Sequence, residues 1–219
     1  EITFNHGSDK DITVDPKECV ALVRGGNMDD VKGGEYTVDL LQSCGVHVIN
    51  TIRAIRNVSN KKYFADILKR YNVPTPNTLF IRNEEALEKM MGELPSFPVI
   101  AKTVNGSKGV GVIKVDKKSS IKSVLQAMWK FGSEVIIQEM IKSEFDVRTI
   151  VIGGKIVGAM KRARKSSGKD FRNNYSQGGD VDNYELSKKE KEIVLAAAKA
   201  SRCEICGVDH IIDDKGESY

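Results

Sequence analysis

The order of hydrophobic and polar residues predicts short strands alternating with amphipathic helices. Residues 20–23 and 46–50 are short apolar runs typical of strands, and the pattern over 35–44 predicts a helix that ends before Gly45. The 3.6-residue period over 60–71 predicts a second helix. The chain therefore begins with a β-α-β unit that is short for a complete doubly wound domain.

The rest of the chain mixes strands, helices and hairpins. We predict a helix over 120–131, a hairpin turned by Gly153 and Gly154, and a last helix that opens with a capping box formed by Ser187 and Glu190. Further strands are predicted at 99–102, 110–115, 135–139 and 207–212. These features predict an α/β fold with mixed or antiparallel sheets. Four of the five prolines lie between Pro74 and Pro98, which predicts that residues 75–97 carry the chain between two lobes.

The amino-acid composition excludes several classes of protein. The 40% hydrophobic content and the net charge of +4 exclude disorder. The sequence lacks the ~18-residue apolar run of a membrane helix, and its beginning does not resemble a signal peptide. Four cysteines are too few for a disulfide scaffold, and the Cys203–Cys206 pair has no second pair at zinc-ligand spacing, so we expect it to pack at a helix end. We predict a soluble, cytoplasmic protein without a membrane partner.

Cations are interleaved with acids except in the basic run 161–169. Such a run by itself favours a solvated loop, with a contact to nucleic acid, an anionic protein tail or a polyphosphate as the alternative. Because the rest of the charge is mixed, we predict no specific nucleic-acid partner.

A glycine-rich loop between two predicted strands is the first candidate for chemistry. The loop 105–111 contains Gly106, Ser107, Gly109 and Gly111, and it matches neither a Walker A motif nor a dinucleotide fingerprint. Its backbone N–H groups could enclose phosphates, or the loop could be an ordinary turn. Lys102 ends the apolar strand before it, where an inward-facing cation needs an anionic partner unless it lies on an edge strand and reaches water.

Several motifs together resemble one family. The segments 99–102, 105–111 and 136–141 resemble the nucleotide-binding half of ATP-grasp enzymes. The motifs that follow resemble the RimK-type α-L-glutamate ligases in order and spacing: 146–148, 153–162, 170–174, 178–179 and 207–209. The resemblance covers about residue 50 to the end. It implies an ATP-grasp fold with a shortened α/β N-terminal domain (1–55), a central lobe with the glycine-rich loop (56–137) and a C-terminal lobe (138–219).

The resemblance implies that two lysines and an interlobe hinge bind the nucleotide. Lys61 and Lys102 would bind the phosphates of ATP as mobile point charges. The hinge would pair with adenine through residues Gln138, Glu139, Met140 and Ile141. Asp146 would bind the ribose region, or it could form an ordinary cross-strand charge pair with Arg148.

The remaining roles concern the reacting groups. Arg172, Asn173 and Asn174 would meet the phosphates and the metal, or they could be turn residues. Arg162 would face the acyl phosphate, and Arg148 would hold a substrate carboxylate.

The resemblance implies Mg²⁺ (or Mn²⁺) as a cofactor, with Asp209 as a ligand unless Asp209 caps a turn. The family places a Glu-x-Asn pair on the strand after this aspartate, where the present sequence ends with Tyr219. Glu217 lies in the turn before that expected strand. Hard cations need several oxygen ligands, so we expect a C-terminal lobe cut short before its last metal ligands and an incomplete metal site.

The implied activity is ATP-dependent carboxylate–amine ligation through an acyl phosphate. The resemblance favours glutamate as the amino-acid substrate, and a protein C-terminus or a small-molecule carboxylate as the acceptor. It also favours a homo-oligomer. An ATP-grasp kinase and a non-catalytic module that binds a nucleotide or a partner remain alternatives at this point.

Overall fold

The computed structural model describes residues 2–4, 12–23, 31–105, 110–163 and 180–219. These ranges contain two four-stranded antiparallel sheets, two small two-stranded sheets and six helices. The fold is therefore α/β, as the sequence predicts. None of the helices in these ranges is both long and apolar enough to cross a membrane.

The N-terminal unit contains the predicted β-α-β arrangement. Strands β1 (Ile2–Phe4) and β2 (Ile12–Val14) form an antiparallel pair that the sequence analysis missed. Strand β3 (Val20–Leu22), helix α1 (Val31–Ser43) and strand β4 (His47–Ile49) follow, and β3 pairs with β4 in parallel. Apolar side chains from these elements and from the residues next to β4 share a small core: Val38, Val46, Val48 and Ile52.

Two helices connect this unit to the central lobe. Helix α2 (Ile52–Ser59) was missed, whereas α3 (Lys61–Arg70) matches the predicted helix. The side chain of Asn60 accepts a hydrogen bond from the Tyr63 N–H and caps α3 at its N-terminus. This cap places Lys61 at the first helical position.

The central lobe is built on the sheet β5-β8-β6-β7. Its strands are β5 (Thr78–Ile81), β6 (Val99–Thr103), β7 (Val112–Val115) and β8 (Val135–Glu139). Helices α4 (Glu84–Met90) and α5 (Lys118–Lys130) pack against this sheet through buried side chains such as Leu87 and Leu125.

The expectation that residues 75–97 pass between lobes is wrong. Strand β5 pairs with β8, and α4 contributes Leu87 to the core of the central lobe. Proline marks the ends of an element as readily as a linker, and here Pro76 precedes β5 while Pro98 precedes β6. The four-residue strand is too short to show a period that would have predicted it.

The C-terminal lobe is built on the sheet β11-β10-β9-β12. Its strands are β9 (Phe145–Ile152), β10 (Lys155–Ala163), β11 (Asp180–Asn183) and β12 (Ile205–Ile211). Helix α6 (Lys188–Ser201) packs on this sheet through Val194 and Ala198, and its capping box of Ser187 and Glu190 is confirmed. The predicted turn at Gly153 and Gly154 is also confirmed, with positive φ at both residues.

The Cys203–Cys206 pair lies where α6 ends and β12 begins, so the expected position at a helix end is confirmed. Both thiols are free and half-buried. Burial, and to a smaller extent the neighbouring Cys203, raises the pKa of Cys206 to about 11.

Candidate functional site

A cleft of about 640 Å³ lies between the central lobe, helix α3 and the C-terminal lobe. Its walls include apolar side chains of α3 and the central sheet, such as Phe64, Leu68 and Ile136. Five of the polar residues that line it were predicted as site residues: Lys61, Lys102, Gln138, Asp146 and Asp209. The tertiary structure therefore brings together residues that lie up to 148 positions apart in the sequence.

Lys61 enters the cleft from the start of α3. Its backbone N–H and its Nζ both donate to the Val104 carbonyl, at 3.2 and 3.3 Å. Burial lowers the pKa of its ammonium group. These bonds fix both the backbone and the ammonium group of Lys61 beside Val104, the residue that follows β6.

Lys102 enters the cleft from β6, an interior strand between β8 and β7. The alternative of an edge-strand lysine is therefore wrong. Its Nζ donates to Gln138 Oε1 at 2.5 Å, and among the described residues it forms no ion pair with a carboxylate. Burial, followed by repulsion from Lys61, lowers the pKa of Lys102 to about 8. A partly desolvated cation with a neutral partner favours an anion beside it.

The predicted hinge is the connection between the two large sheets. Strand β8 ends at Glu139 and β9 begins at Phe145, so the residues between them link the two lobes. The Glu139 N–H donates to the Asn77 carbonyl at 2.8 Å, and the Glu139 carboxylate accepts from the Asn77 N–H at 3.3 Å. Met140 and Ile141 follow as half-buried residues outside regular structure.

Two arginine–carboxylate pairs lie across the C-terminal sheet. Strand register places Asp146 opposite Arg162, and Arg148 opposite Asp209. Both pairs are bidentate, at 2.7 and 2.8 Å for Asp146–Arg162 and at 2.6 and 2.5 Å for Arg148–Asp209. A further contact of 3.2 Å joins Arg162 Nη2 to Asp209 Oδ1, so the four side chains form one cluster.

The two pairs differ in burial. The Arg162 and Asp146 side chains are 9% and 14% exposed, whereas those of Arg148 and Asp209 are 42% and 43% exposed. Burial raises the pKa of Asp146 even though Arg162 opposes that shift. The exposed pair can exchange partners with a ligand at much lower desolvation cost than the buried pair.

The structure decides in part between the alternatives that the sequence left open for Asp146 and Asp209. Asp146 does form a cross-strand ion pair, with Arg162 instead of Arg148. Asp209 lies inside β12, so the alternative that it caps a turn is wrong. The turn after β12 is capped by Asp213, whose carboxylate accepts from the N–H groups of Lys215 and Glu217.

The structure leaves some predicted residues outside its described ranges: Gly106, Ser107, Gly109, Arg172, Asn173 and Asn174. Gly111, the last glycine of the loop, is described, with φ of +72°. A Cβ at this position would lie 2.7 Å from Thr103 Oγ1. Glycine is therefore required where the loop rejoins the sheet.

Sequence reasoning missed several polar residues that line the cleft, and two of them, Asn50 and Thr78, make long-range hydrogen bonds. The Asn50 side chain donates to the Ile205 carbonyl at 2.8 Å and accepts from the Glu204 and Ile205 N–H groups, which ties the end of β4 to the start of β12. Thr78 accepts a hydrogen bond from Gln138 Nε2 at 2.9 Å. No local pattern indicates either contact, because each joins residues at least 60 positions apart.

Comparison with known proteins decides the family. A model of the RimK-like ATP-grasp domain matches residues 58–219, which is most of the chain. The chain belongs to the RimK-like ATP-grasp family. The resemblance inferred from the separated motifs is thus confirmed.

Curated relatives are about 30% identical to the chain over the aligned residues. A probable alpha-L-glutamate ligase 2 of Pseudoalteromonas atlantica is 30% identical over 185 residues, which are 84% of this chain and 61% of the relative. A probable alpha-L-glutamate ligase of Hydrogenovibrio crunogenus is 33% identical over the same shares. The chain therefore spans about three fifths of the length of these relatives.

Solved structures show the same fold. A D-alanine–D-alanine ligase of Bacillus anthracis complexed with ATP has a TM-score of 0.70 at 22% identity, covering 91% of this chain and 65% of that chain. The ATP-grasp ligase PsnB, complexed with a phosphomimetic variant of its minimal precursor, Mg and ADP, has a TM-score of 0.61 at 20% identity, covering 84% and 55%. The predicted ATP-grasp fold is therefore confirmed.

Proposed function

We propose that this chain is the nucleotide-binding part of an ATP-dependent ligase that joins a carboxylate to an amine. The observation that carries the proposal is the cleft between the lobes, where Lys61 and Lys102 lie on one side and the arginine-paired carboxylates Asp146 and Asp209 on the other. The family and the relatives named as probable alpha-L-glutamate ligases support this class of reaction.

The lysines supply the affinity for a polyphosphate in this proposal. Lys102 approaches Lys61 closely enough for their repulsion to lower the pKa of Lys102. An anionic ligand between them would relieve that repulsion and compensate for desolvation. The apolar wall that includes Phe64 and Leu68 would exclude water from the phosphates.

The reaction has two steps. A carboxylate oxygen attacks the γ-phosphorus, so an oxygen–phosphorus bond forms while the bond to the ADP oxygen breaks and ADP leaves. The amine nitrogen then attacks the acyl carbon, a carbon–nitrogen bond forms, phosphate leaves, and the nitrogen releases a proton to solvent. The contribution of the protein is positioning and stabilisation of charge on the transferred phosphoryl group.

Arg148 and Arg162 differ in solvent exposure, and they have different roles in this proposal. Arg148 is exposed enough to exchange Asp209 for the carboxylate of a substrate in a bidentate contact. Arg162 is held by Asp146 and Asp209 in a mostly buried position, from which it would face the acyl phosphate in a fixed orientation. Glutamate as the amine, and a protein C-terminus or a small-molecule carboxylate as the acceptor, complete the proposal.

Mg²⁺ enters the proposal as the ion that accompanies the nucleotide, as in the PsnB complex with Mg and ADP. The described residues do not by themselves fit a protein-bound metal. Within them no group of three His, Cys, Asp or Glu side chains could hold an ion, and the Asp209 oxygens are bonded to Arg148 and Arg162. We therefore assign no step of the reaction to the metal.

Calorimetric titration with ATP, with and without Mg²⁺, tests the nucleotide site. We expect binding by the wild type, at least a tenfold loss in Lys102→Ala, and wild-type affinity in Lys155→Ala, which removes an exposed lysine of the other lobe. Absence of ATP binding would overturn the proposal.

The ligase step is tested by mass spectrometry of products formed with pairs of carboxylates and amines, glutamate included. The proposal expects ADP and phosphate to accumulate only when both substrates are present. A stable phosphorylated product formed without an amine would indicate a kinase instead.

A further inference from the structure

Three neighbouring strands of the central sheet carry an unbroken series of side-chain hydrogen bonds into the cleft. Lys102 Nζ donates to Gln138 Oε1 at 2.5 Å, and Gln138 Nε2 donates to Thr78 Oγ1 at 2.9 Å. The Thr78 hydroxyl donates in turn to the Pro76 carbonyl at 2.8 Å. The series follows from strand register, since Thr78 lies directly opposite Gln138 and Lys102 lies one diagonal step from it.

The direction of this series is set at the threonine end. A hydroxyl has one proton to donate, and a backbone carbonyl can only accept, so the proton of Thr78 goes to Pro76. Toward Gln138, Thr78 can then only accept. The side-chain amide of Gln138 must therefore turn its NH₂ group to Thr78 and its oxygen to Lys102.

The alternative amide orientation would disfavour the cation. An ammonium group has three donors and no acceptor, so an NH₂ group turned toward Lys102 would repel it. Lys102 is half-buried and is repelled by the nearby Lys61, and Gln138 Oε1 is the hydrogen-bond acceptor for its Nζ among the described residues. The position of the Lys102 charge thus depends on which way one neutral amide points.

We propose that Thr78 is a positioning residue of the cleft, which fixes the amide of Gln138 so that its oxygen holds the Lys102 ammonium in place. Thr78 acts through Gln138 and has no ion pair or direct hydrogen bond with Lys102. Its hydroxyl, not its bulk, is the feature that matters.

The hydrogen bond from Lys102 to Gln138 can be tested without any nucleotide. The pH titration of the Lys102 amine is followed by NMR in protein that carries isotope-labelled lysine. In Thr78→Val the titration midpoint should fall by about half a pH unit or more, because the charged form loses its acceptor. Thr78→Ser should restore the wild-type midpoint, since it retains the hydroxyl. Thr149→Val is the matched control, because the buried Thr149 hydroxyl has no partner among the described residues.

A second variant separates the hydroxyl effect from a packing effect. In Gln138→Glu both side-chain oxygens are acceptors, so an acceptor faces Lys102 whichever way the side chain is turned. Thr78 is then not needed to orient it. Adding Thr78→Val to Gln138→Glu should therefore leave the midpoint of the Gln138→Glu variant unchanged. An equal fall in both backgrounds would show that Thr78 acts through packing and would overturn the inference, as would a Thr78→Val midpoint equal to that of the wild type.

The consequence for nucleotide affinity rests on the proposed function, and the two can fail separately. If wild-type protein binds ATP, Thr78→Val should weaken binding severalfold and Thr78→Ser should not. If wild-type protein does not bind ATP, the proposed function fails, while the NMR midpoints still decide the role of Thr78. Thermal unfolding followed by circular dichroism confirms that each variant is folded.

Discussion

Nucleotide binding by this chain should weaken as the pH rises above 8, because the free protein then loses the Lys102 cation. Burial, and then repulsion from Lys61, lowers the pKa of Lys102 to about 8. A bound triphosphate stabilises the charged ammonium and raises that pKa. Binding is then coupled to proton uptake wherever the free protein is deprotonated. Affinity is therefore complete below the pKa of the free protein and is lost as the pH rises through it.

The magnitude follows from the fraction of protein that carries the cation. With a pKa of about 8 in the free protein, that fraction falls from about nine tenths at pH 7 to about one tenth at pH 9. The affinity for ATP should fall about tenfold over this interval, which is about 1.4 kcal/mol of binding free energy. Proton uptake on binding should approach one proton at pH 9.

Calorimetry in pairs of buffers with different ionisation enthalpies measures both quantities. The variant Lys102→Arg keeps a cation whose pKa lies above the whole range, so its affinity should change little between pH 7 and pH 9. A slope that persists in this variant comes from other titrating groups, such as the terminal phosphate of ATP or Lys61, whose pKa burial also lowers. Lys155→Ala, which changes an exposed lysine, should reproduce the wild-type profile.

A wild-type profile as flat as that of Lys102→Arg would refute the reasoning. It would mean that the Lys102 ammonium is solvated well enough to stay charged at pH 9, or that the phosphates do not approach it. Binding that strengthens with rising pH would contradict the sign of the coupling itself.

Two further predictions compare matched substitutions. Gly111→Ala should lower the melting temperature and the ATP affinity more than Gly132→Ala does. Both positions have φ near +70°, but only a Cβ at Gly111 would collide with Thr103. Thermal unfolding measures the difference in stability, and calorimetry measures the difference in affinity. Glu190→Gln should lower the free energy of unfolding, measured with urea at pH 7, by about 1–3 kcal/mol, because the buried Glu190 carboxylate accepts several hydrogen bonds. The control Glu192→Gln changes an exposed residue and should alter that free energy by less than about 0.5 kcal/mol. Equal effects within either pair would contradict the structural reason given for it.

Elements with local signals were predictable from the sequence. The capping box of Ser187 and Glu190 and the turn at Gly153 and Gly154 each depend on residues within a few positions of one another. The helix that carries Lys61 shows a clear apolar period, and the order of the motifs was enough to indicate the family. Short elements such as α2 and β5 were missed, since eight or four residues show too little of a period to be distinguished from loop.

Partnerships within the site were decided only by the tertiary structure. The sequence identifies Asp146, Arg148, Arg162 and Asp209 as candidates, but the pairing of Asp146 with Arg162 and of Arg148 with Asp209 follows from the register of three strands. The series of hydrogen bonds that begins at Thr78 has the same origin in the central sheet. Helical periods, caps and turns are determined by interactions along a few consecutive residues. Strand register is determined by the packing of distant segments around a common core, and a shift of one residue would turn every one of these side chains to the opposite face.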